Sequence, residues 1–235
     1  MFTIPGITLR RPCHRSILYV MKKVGILGAG EVGQILAAGF IADGYEVMVG
    51  SRNGARAAQV DEALGMDVAV DTFSVVAAWA ELVIVAVKGR AAEGVVGDVA
   101  EHLKGKTVID VTNPIADAPP VGGVLSFFTS FDESLAERLQ RAAPEARIVK
   151  AWNSCPYQHM IDPDFPQKPT MPICGDDADA RKEVADIIAS FGWEVEDMGQ
   201  LVAARAIEPL AMLISIPGFL RGDWDHAFCL LKRGA

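Results

Sequence analysis

The stretch VGILGAGEVG, Val24 to Gly33, decides how this chain is read. An apolar run suited to a buried strand passes into glycines at 28, 30 and 33. It is followed by EVGQILAAGFIADG, whose apolar spacing is that of a helix ending near Gly44. A G-x-G-x-x-G triplet between a strand and a helix is a dinucleotide-binding turn in the context that motif requires. Gly28 permits the tight turn, Gly30 lets a pyrophosphate approach the backbone, and Gly33 lets helix pack on strand. Ala29, Glu31 and Val32 complete the turn at the helix start, where backbone N–H groups and partial positive charge favour an anion.

The next strand, YEVMVG, ends at Gly50, 22 residues after Gly28. An NAD site carries Asp or Glu there, accepting from the adenosine ribose 2′-OH. Here the chain reads Ser51, Arg52, Asn53, with Arg56 four residues beyond Arg52. A carboxylate would repel a 2′-phosphate, whereas a guanidinium pairs with it and a serine hydroxyl adds a hydrogen bond. One helical turn would bring Arg56 to the same anion. The expected cofactor is therefore NADP.

The strand–helix alternation continues. ARAAQVDEALG reads as a helix, MDVAV as a short strand and Ser74 to Ala80 as a helical turn. ELVIVAV is a strand, Ala91 to Leu103 a helix and KTVIDVTNP another strand. Continuous Val/Ile strands are covered on both faces, so the sheet is expected to be parallel. The fold class is α/β, a Rossmann-like doubly wound parallel sheet with a small C-terminal α/β appendage. Ligands in such folds lie beyond the carboxyl ends of the strands. That makes Val87 and Lys88, and Asn113 and Pro114, candidates for cofactor contact. Lys88 reads equally as a solvated strand-end charge, and Asn113-Pro114 as a plain turn.

The later chain holds the proline- and glycine-broken loop DAPPVGGVLSFFTS, a helix from Glu133 to Ala142 and a strand RIVKAW. A long irregular segment leads to TMPICG (strand), DADARKEVADIIASFG (helix), WEVEDMG (strand) and LVAARAIEPLAMLISI (helix). The expected organisation is a 1–20 extension outside the fold, with a start at Met21, an NADP-binding domain over 21–150, and a second-cofactor or substrate domain over 151–235. In KAWNSCPYQHM, Asn153 and Cys155 are placed at a cofactor pocket. Neither Cys155 nor His159 is taken as catalytic, because no nucleophile–base–acid arrangement is visible.

At 235 residues with a net charge of −8, the chain is not expected to bind nucleic acid, which needs a basic face. Its four cysteines are far apart, which predicts neither a disulfide framework nor a zinc site and suits the cytoplasm. No apolar run was expected to reach the ~20 residues of a membrane helix, the longest being Leu210 to Leu220. That late helix is expected to serve a homodimer.

GILGAGEVG, the VGSR at the second strand end, KAWN, PICGDD and the late AR-x-x-E-P helix, in this order, resemble the coenzyme F420-dependent NADP oxidoreductases. The cytosolic domains of the six-transmembrane metalloreductases are related. The resemblance runs from about Lys23 to the last helix. It implies NADP at the glycine turn, with Ser51, Arg52 and Arg56 at the 2′-phosphate, and a deazaflavin (coenzyme F420) or flavin against the nicotinamide. Hydride then passes directly between rings, so no acid–base residue is needed. Archaeal members carry a histidine in the segment that here contains Asn153, and a threonine where Ala29 or Gly30 stands. Two other readings compete: an NADP-sensing module without turnover, and a small-molecule dehydrogenase of the β-hydroxyacid type. The latter needs a large helical domain that the chain after Lys150 does not suggest.

Overall fold

The computed structural model of the protein describes residues 2–4, 7–9, 22–52 and 68–233. The expected helix ARAAQVDEALG, with Asn53 and Arg56, lies outside the described residues. Strands β1 (Phe2–Ile4) and β2 (Ile7–Leu9) pair antiparallel in a separate two-stranded sheet.

From β3 (Lys23–Leu27) the chain passes through α1 (Glu31–Ala42) to β4 (Glu46–Ser51). After β5 (Ala69–Thr72) and α2 (Phe73–Trp79) it enters β6 (Leu82–Val85). Helices α3 (Gly89–Asp98) and α4 (Ala100–Leu103) lead to β7 (Thr107–Asp110). Then come α5 (Leu135–Ala142), β8 (Arg147–Lys150), β9 (Thr170–Gly175), α6 (Ala178–Ser190) and β10 (Glu194–Asp197). Helices α7 (Ala204–Ile207) and α8 (Leu210–Arg221) end the regular structure.

Eight of these strands form one sheet in the order β10-β9-β8-β7-β6-β3-β4-β5. Strands β3 to β8 run parallel, as expected of a sheet whose central strands are Val/Ile runs buried on both faces. Ile26, Ile84, Ile109 and Val149 point into one apolar layer, with Phe40 and Leu36 of α1. Val83, Val85, Val108 and Ile148 point into the other, with Val96 of α3 and Leu139 of α5.

The parallel sheet expected through the strand KTVIDVTNP is observed, and the sheet continues beyond β8 with one change of direction. β9 runs antiparallel to β8, pairing Val149 with Gly175 and Lys150 with Cys174. The physical reason is the connection: a parallel neighbour requires a crossover, usually helical. Residues 151–169 instead form a loop with one 3₁₀ turn, Tyr157–His159. The C-terminal strands thus extend the same sheet, β10 again parallel to β9.

Other boundaries also move. The helix expected over Ala91 to Leu103 is broken at Val99 (φ −111°, ψ 9°) into α3 and α4. Of the expected third strand MDVAV, Met66 and Asp67 lie outside the described residues and β5 covers Ala69–Thr72, where Thr72 caps α2 by accepting from the Val75 N–H. The helix expected from Glu133 begins at Leu135, because Ser134 and Glu137 form a reciprocal capping box. The late helix is three pieces: a 3₁₀ turn (Leu201–Ala203), α7 and α8. Taken together, Leu201–Arg221 is a 21-residue run long and apolar enough by composition to cross a membrane, contrary to the sequence expectation. It carries Arg205 and the buried Glu208, both engaged in ion pairs within the domain.

Candidate functional site

The chain leaves β3 toward β4 and β5 on one side, then returns to place β6, β7 and β8 on the other. Such a reversal opens a crevice at the carboxyl ends of the strands. A cavity of about 720 Å³ lies there. It is lined by Gly30, Glu31 and Val32 at the start of α1, by 86–91 after β6, by 111–113 after β7, and by Ile115 to Asp117.

The three motif glycines have three distinct spatial reasons. Gly28 has φ +137°, and a Cβ there would lie 2.3 Å from the Ala86 carbonyl oxygen, so the turn packs backbone on backbone. A Cβ at Gly33 would lie 1.9 Å from the Gly28 oxygen, which fixes how closely helix meets turn. At Gly30 a Cβ would meet nothing within 4 Å: that face is open, and it borders the cleft. No side chain caps α1 at Gly30, so the first-turn N–H groups face this opening without a side-chain acceptor.

Ser51 and Arg52 stand at the end of β4, beside the turn; Gly28 N–H donates to the Gly50 carbonyl at 3.0 Å. Ser51 is only 5% exposed, and its hydroxyl has no partner among the described residues. Arg52 is exposed. A buried hydroxyl without a partner among the described residues, next to an exposed guanidinium, suits the binding of an anionic group. The open cradle at Gly30 fits a pyrophosphate. The residues present therefore suit a phosphorylated dinucleotide.

Of the other sequence candidates, Val87, Lys88 and Asn113 line the cleft, with Lys88 exposed. Ala29 and Pro114 are buried beside it. Asn153 lies behind the wall: its side-chain amide donates to Asn113 Oδ1 at 3.2 Å and to the Ile207 carbonyl at 3.1 Å. In return the Asn113 amide donates to the Asn153 carbonyl at 2.9 Å. Trp152 makes this juxtaposition possible by adopting left-handed backbone (φ 55°), held by its indole N–H on the Met160 carbonyl and by stacking on Phe191. Such strain costs about 1–3 kcal/mol and is retained where packing over-determines it.

Cys155 is buried, and burial pushes its thiol well above the ordinary range, which disfavours the thiolate. Burial likewise pushes Cys174 up to about 12. His159 contacts the Trp224 carbonyl and Asp225, each at 3.2 Å, and so fastens the C-terminal tail away from the cleft lining. Among the described residues, no cluster of His, Cys, Asp or Glu is arranged to hold a metal ion.

Two features go beyond the sequence reading, which set Gly89 at the end of the fourth strand without a role. At Gly89 a Cβ would sit 1.9 Å from the Asn113 oxygen, so only glycine allows α3 to start against the residues that follow β7. Its signal was available, a glycine directly after a buried strand and before a helix. The second is a buried charge network. Asp110 and Lys150 are 0% exposed and Glu208 2%. Lys150 pairs with Asp110 at 2.8 Å and with Glu208 at 3.3 Å. Burial alone would pull the Lys150 ammonium down, but the two carboxylates outweigh it and hold it charged. The signal here was a single charge inside each of two otherwise apolar segments, VIDV and IVKAW.

The sequence pattern described as NADP oxidoreductase coenzyme F420-dependent matches residues 23–114, the span that carries the turn and most of the cleft wall. The F420-dependent NADP reductase of Methanothermobacter marburgensis is 30% identical over 203 residues, 82% of this chain and 90% of that protein. The metalloreductase STEAP3 of Rattus norvegicus is 31% identical over 195 residues, but this chain spans only 37% of its length. A crystal structure of an Arthrobacter protein, provisionally described as an F420-dependent NADP reductase, superposes with a TM-score of 0.83 at 28% identity, covering 89% of this chain and 99% of that one. The chain belongs to the F420-dependent NADP reductase family of NADP-dependent oxidoreductases.

Proposed function

We propose that this protein binds NADP(H) across the glycine turn and passes hydride between it and a deazaflavin or flavin seated at the opposite end of the cleft. The observation that carries this reading is the continuity of the cavity. It runs without a break from the open face of Gly30 to the walls at Val87 and Asn113.

The chain's own residues divide the work by position. The uncapped first turn of α1 offers N–H donors to the pyrophosphate. Ser51 and Arg52, together with Asn53 and Arg56, take the 2′-phosphate, which sets NADP above NAD. Val87, Lys88, Asn113 and Pro114 form the wall along the other half of the dinucleotide, and Asn153 and Cys155 support it from behind. When bound, the nicotinamide supplies a two-electron donor that needs no protein acid or base. The protein's contribution is then orientation and exclusion of water, worth several orders of magnitude in rate when the geometry is fixed.

The protein is read as a homodimer through α8, where Leu213 (55%), Phe219 (46%) and Leu220 (56%) are exposed, as are Val121 (79%) and Phe131 (82%) of the loop between β7 and α5. Apolar patches of this kind mark interaction surfaces.

An assay of NADPH oxidation with coenzyme F420, FMN and FAD offered in parallel tests the reading. Turnover with at least one acceptor is expected. Tight NADPH binding without turnover against any of the three would make the protein a binding module instead.

A further inference from the structure

The wall of the cleft beyond β7 is built on charge. Asp110 Oδ1 accepts the Thr112 N–H at 2.9 Å and the Thr112 hydroxyl at 2.7 Å. Lys150 Nζ donates to Asp110 Oδ2 at 2.8 Å and also to the Thr112 carbonyl. All three polar groups of Thr112 are therefore held by one buried ion pair. Its chain neighbours Val111 and Asn113 both line the cleft, and Asn113 is locked further by Asn153 and by the close approach of Gly89.

Glu208 extends the network to a second element. Besides its pairing with Lys150, its carboxylate accepts the N–H groups of Leu135 at 2.9 Å and Ala136 at 3.0 Å, at the start of α5. Three buried charges at the ends of Val/Ile strands are a poor route to stability, since apolar residues of similar volume commonly do as well or better. Their directional hydrogen bonds do something that apolar packing cannot: they fix the backbone orientation at a strand end.

We propose that Asp110 and Lys150, backed by Glu208, are positioning residues that hold the Val111–Asn113 backbone as a rigid wall for the nicotinamide half of the dinucleotide. This rests on the cofactor reading above. The adenosine end lies at Ser51 and Arg52 and the pyrophosphate at Gly30. The remaining half of the ligand must then run over the ends of β6 and β7, where this wall stands. The network does not touch the adenosine end.

The test compares two ligands that differ only in the nicotinamide: NADP⁺ and 2′-phospho-ADP-ribose, titrated calorimetrically against the full chain. The variants are Lys150→Met and the charge-balanced pair Lys150→Met with Asp110→Leu. NADP⁺ should weaken about tenfold, the upper end of what a lost hydrogen bond produces, while 2′-phospho-ADP-ribose stays within about twofold. Equal weakening of both ligands, or of neither, would overturn the proposal, because a merely structural role cannot discriminate between them. Should those variants not fold, Thr112→Val keeps every charge paired and should show the same selectivity at about threefold; no difference between the ligands there overturns it too. If the unsubstituted protein binds 2′-phospho-ADP-ribose and NADP⁺ equally, the wall contributes nothing and the proposal falls alone. If it binds neither, the cofactor reading falls with it.

Discussion

The Cα of Gly89 stands so close to Asn113 that a side chain there would place its Cβ 1.9 Å from the Asn113 carbonyl oxygen. The first turn of α3 and the end of β7 are thus in backbone contact, and both walls of the cleft are set by that contact. Gly89→Ala must push the two apart. Overpacking of this kind costs about 1–3 kcal/mol, so the melting temperature should fall and NADP affinity with it. Thermal unfolding with and without NADP⁺ checks this; an unchanged melting temperature and unchanged affinity would contradict the account.

Ser51 gives a prediction of opposite sign for stability. Its hydroxyl is buried without a partner among the described residues, so Ser51→Ala removes an unsatisfied group. The apo protein should be as stable as before or more so, while NADPH binding weakens by about 0.5–1.5 kcal/mol, one hydrogen bond's worth. Chemical denaturation paired with calorimetric titration separates the two effects. A destabilised apo protein with unaltered binding would assign the hydroxyl to packing.

Glu137 predicts an acid limb in the stability profile. Its hydrogen bonds from Arg205, aided by Ser134, lower its pKa from the ordinary 4.5 to about 2. The folded form therefore holds its proton less tightly than the unfolded form does. The stabilisation is fully present above pH about 4.5 and is lost as pH falls toward 2. Glu137→Gln should flatten the fall in stability over that window, read from denaturation midpoints at each pH.

The cysteines should differ in reactivity. Cys155 and Cys174 are buried with raised thiol pKa values, whereas Cys229 is exposed. Brief alkylation of the native protein at pH 8, followed by peptide mass mapping, should label Cys229 and spare Cys155 and Cys174. Rapid labelling of Cys155 would reopen a nucleophilic role.

Much of this was legible in the sequence because it rests on short-range chemistry. The glycine turn, the Val/Ile strands and the missing acid after Gly50 are local patterns with local causes. The antiparallel β9 was not legible, because its direction depends on the loop 151–169 and not on the composition of TMPICG. The network of Asp110, Lys150 and Glu208 joins two strands and a helix far apart in the chain. A lone charge in an apolar segment announces that a partner exists without naming it. The Asn113–Asn153 pair needed the left-handed turn at Trp152, a conformation no aromatic residue advertises.

The central claim is that a guanidinium, not a carboxylate, meets the adenosine end of the cofactor. Parallel calorimetric titrations with NADPH and NADH, on the natural protein and on Arg52→Ala, test it most directly. The account predicts that NADPH binds at least about tenfold more tightly than NADH. Arg52→Ala should cost NADPH about 1.5–3 kcal/mol, the range for a charge-assisted contact, and leave NADH unchanged. Equal affinities for the two nucleotides, or an Arg52→Ala protein with its NADPH preference intact, would contradict it.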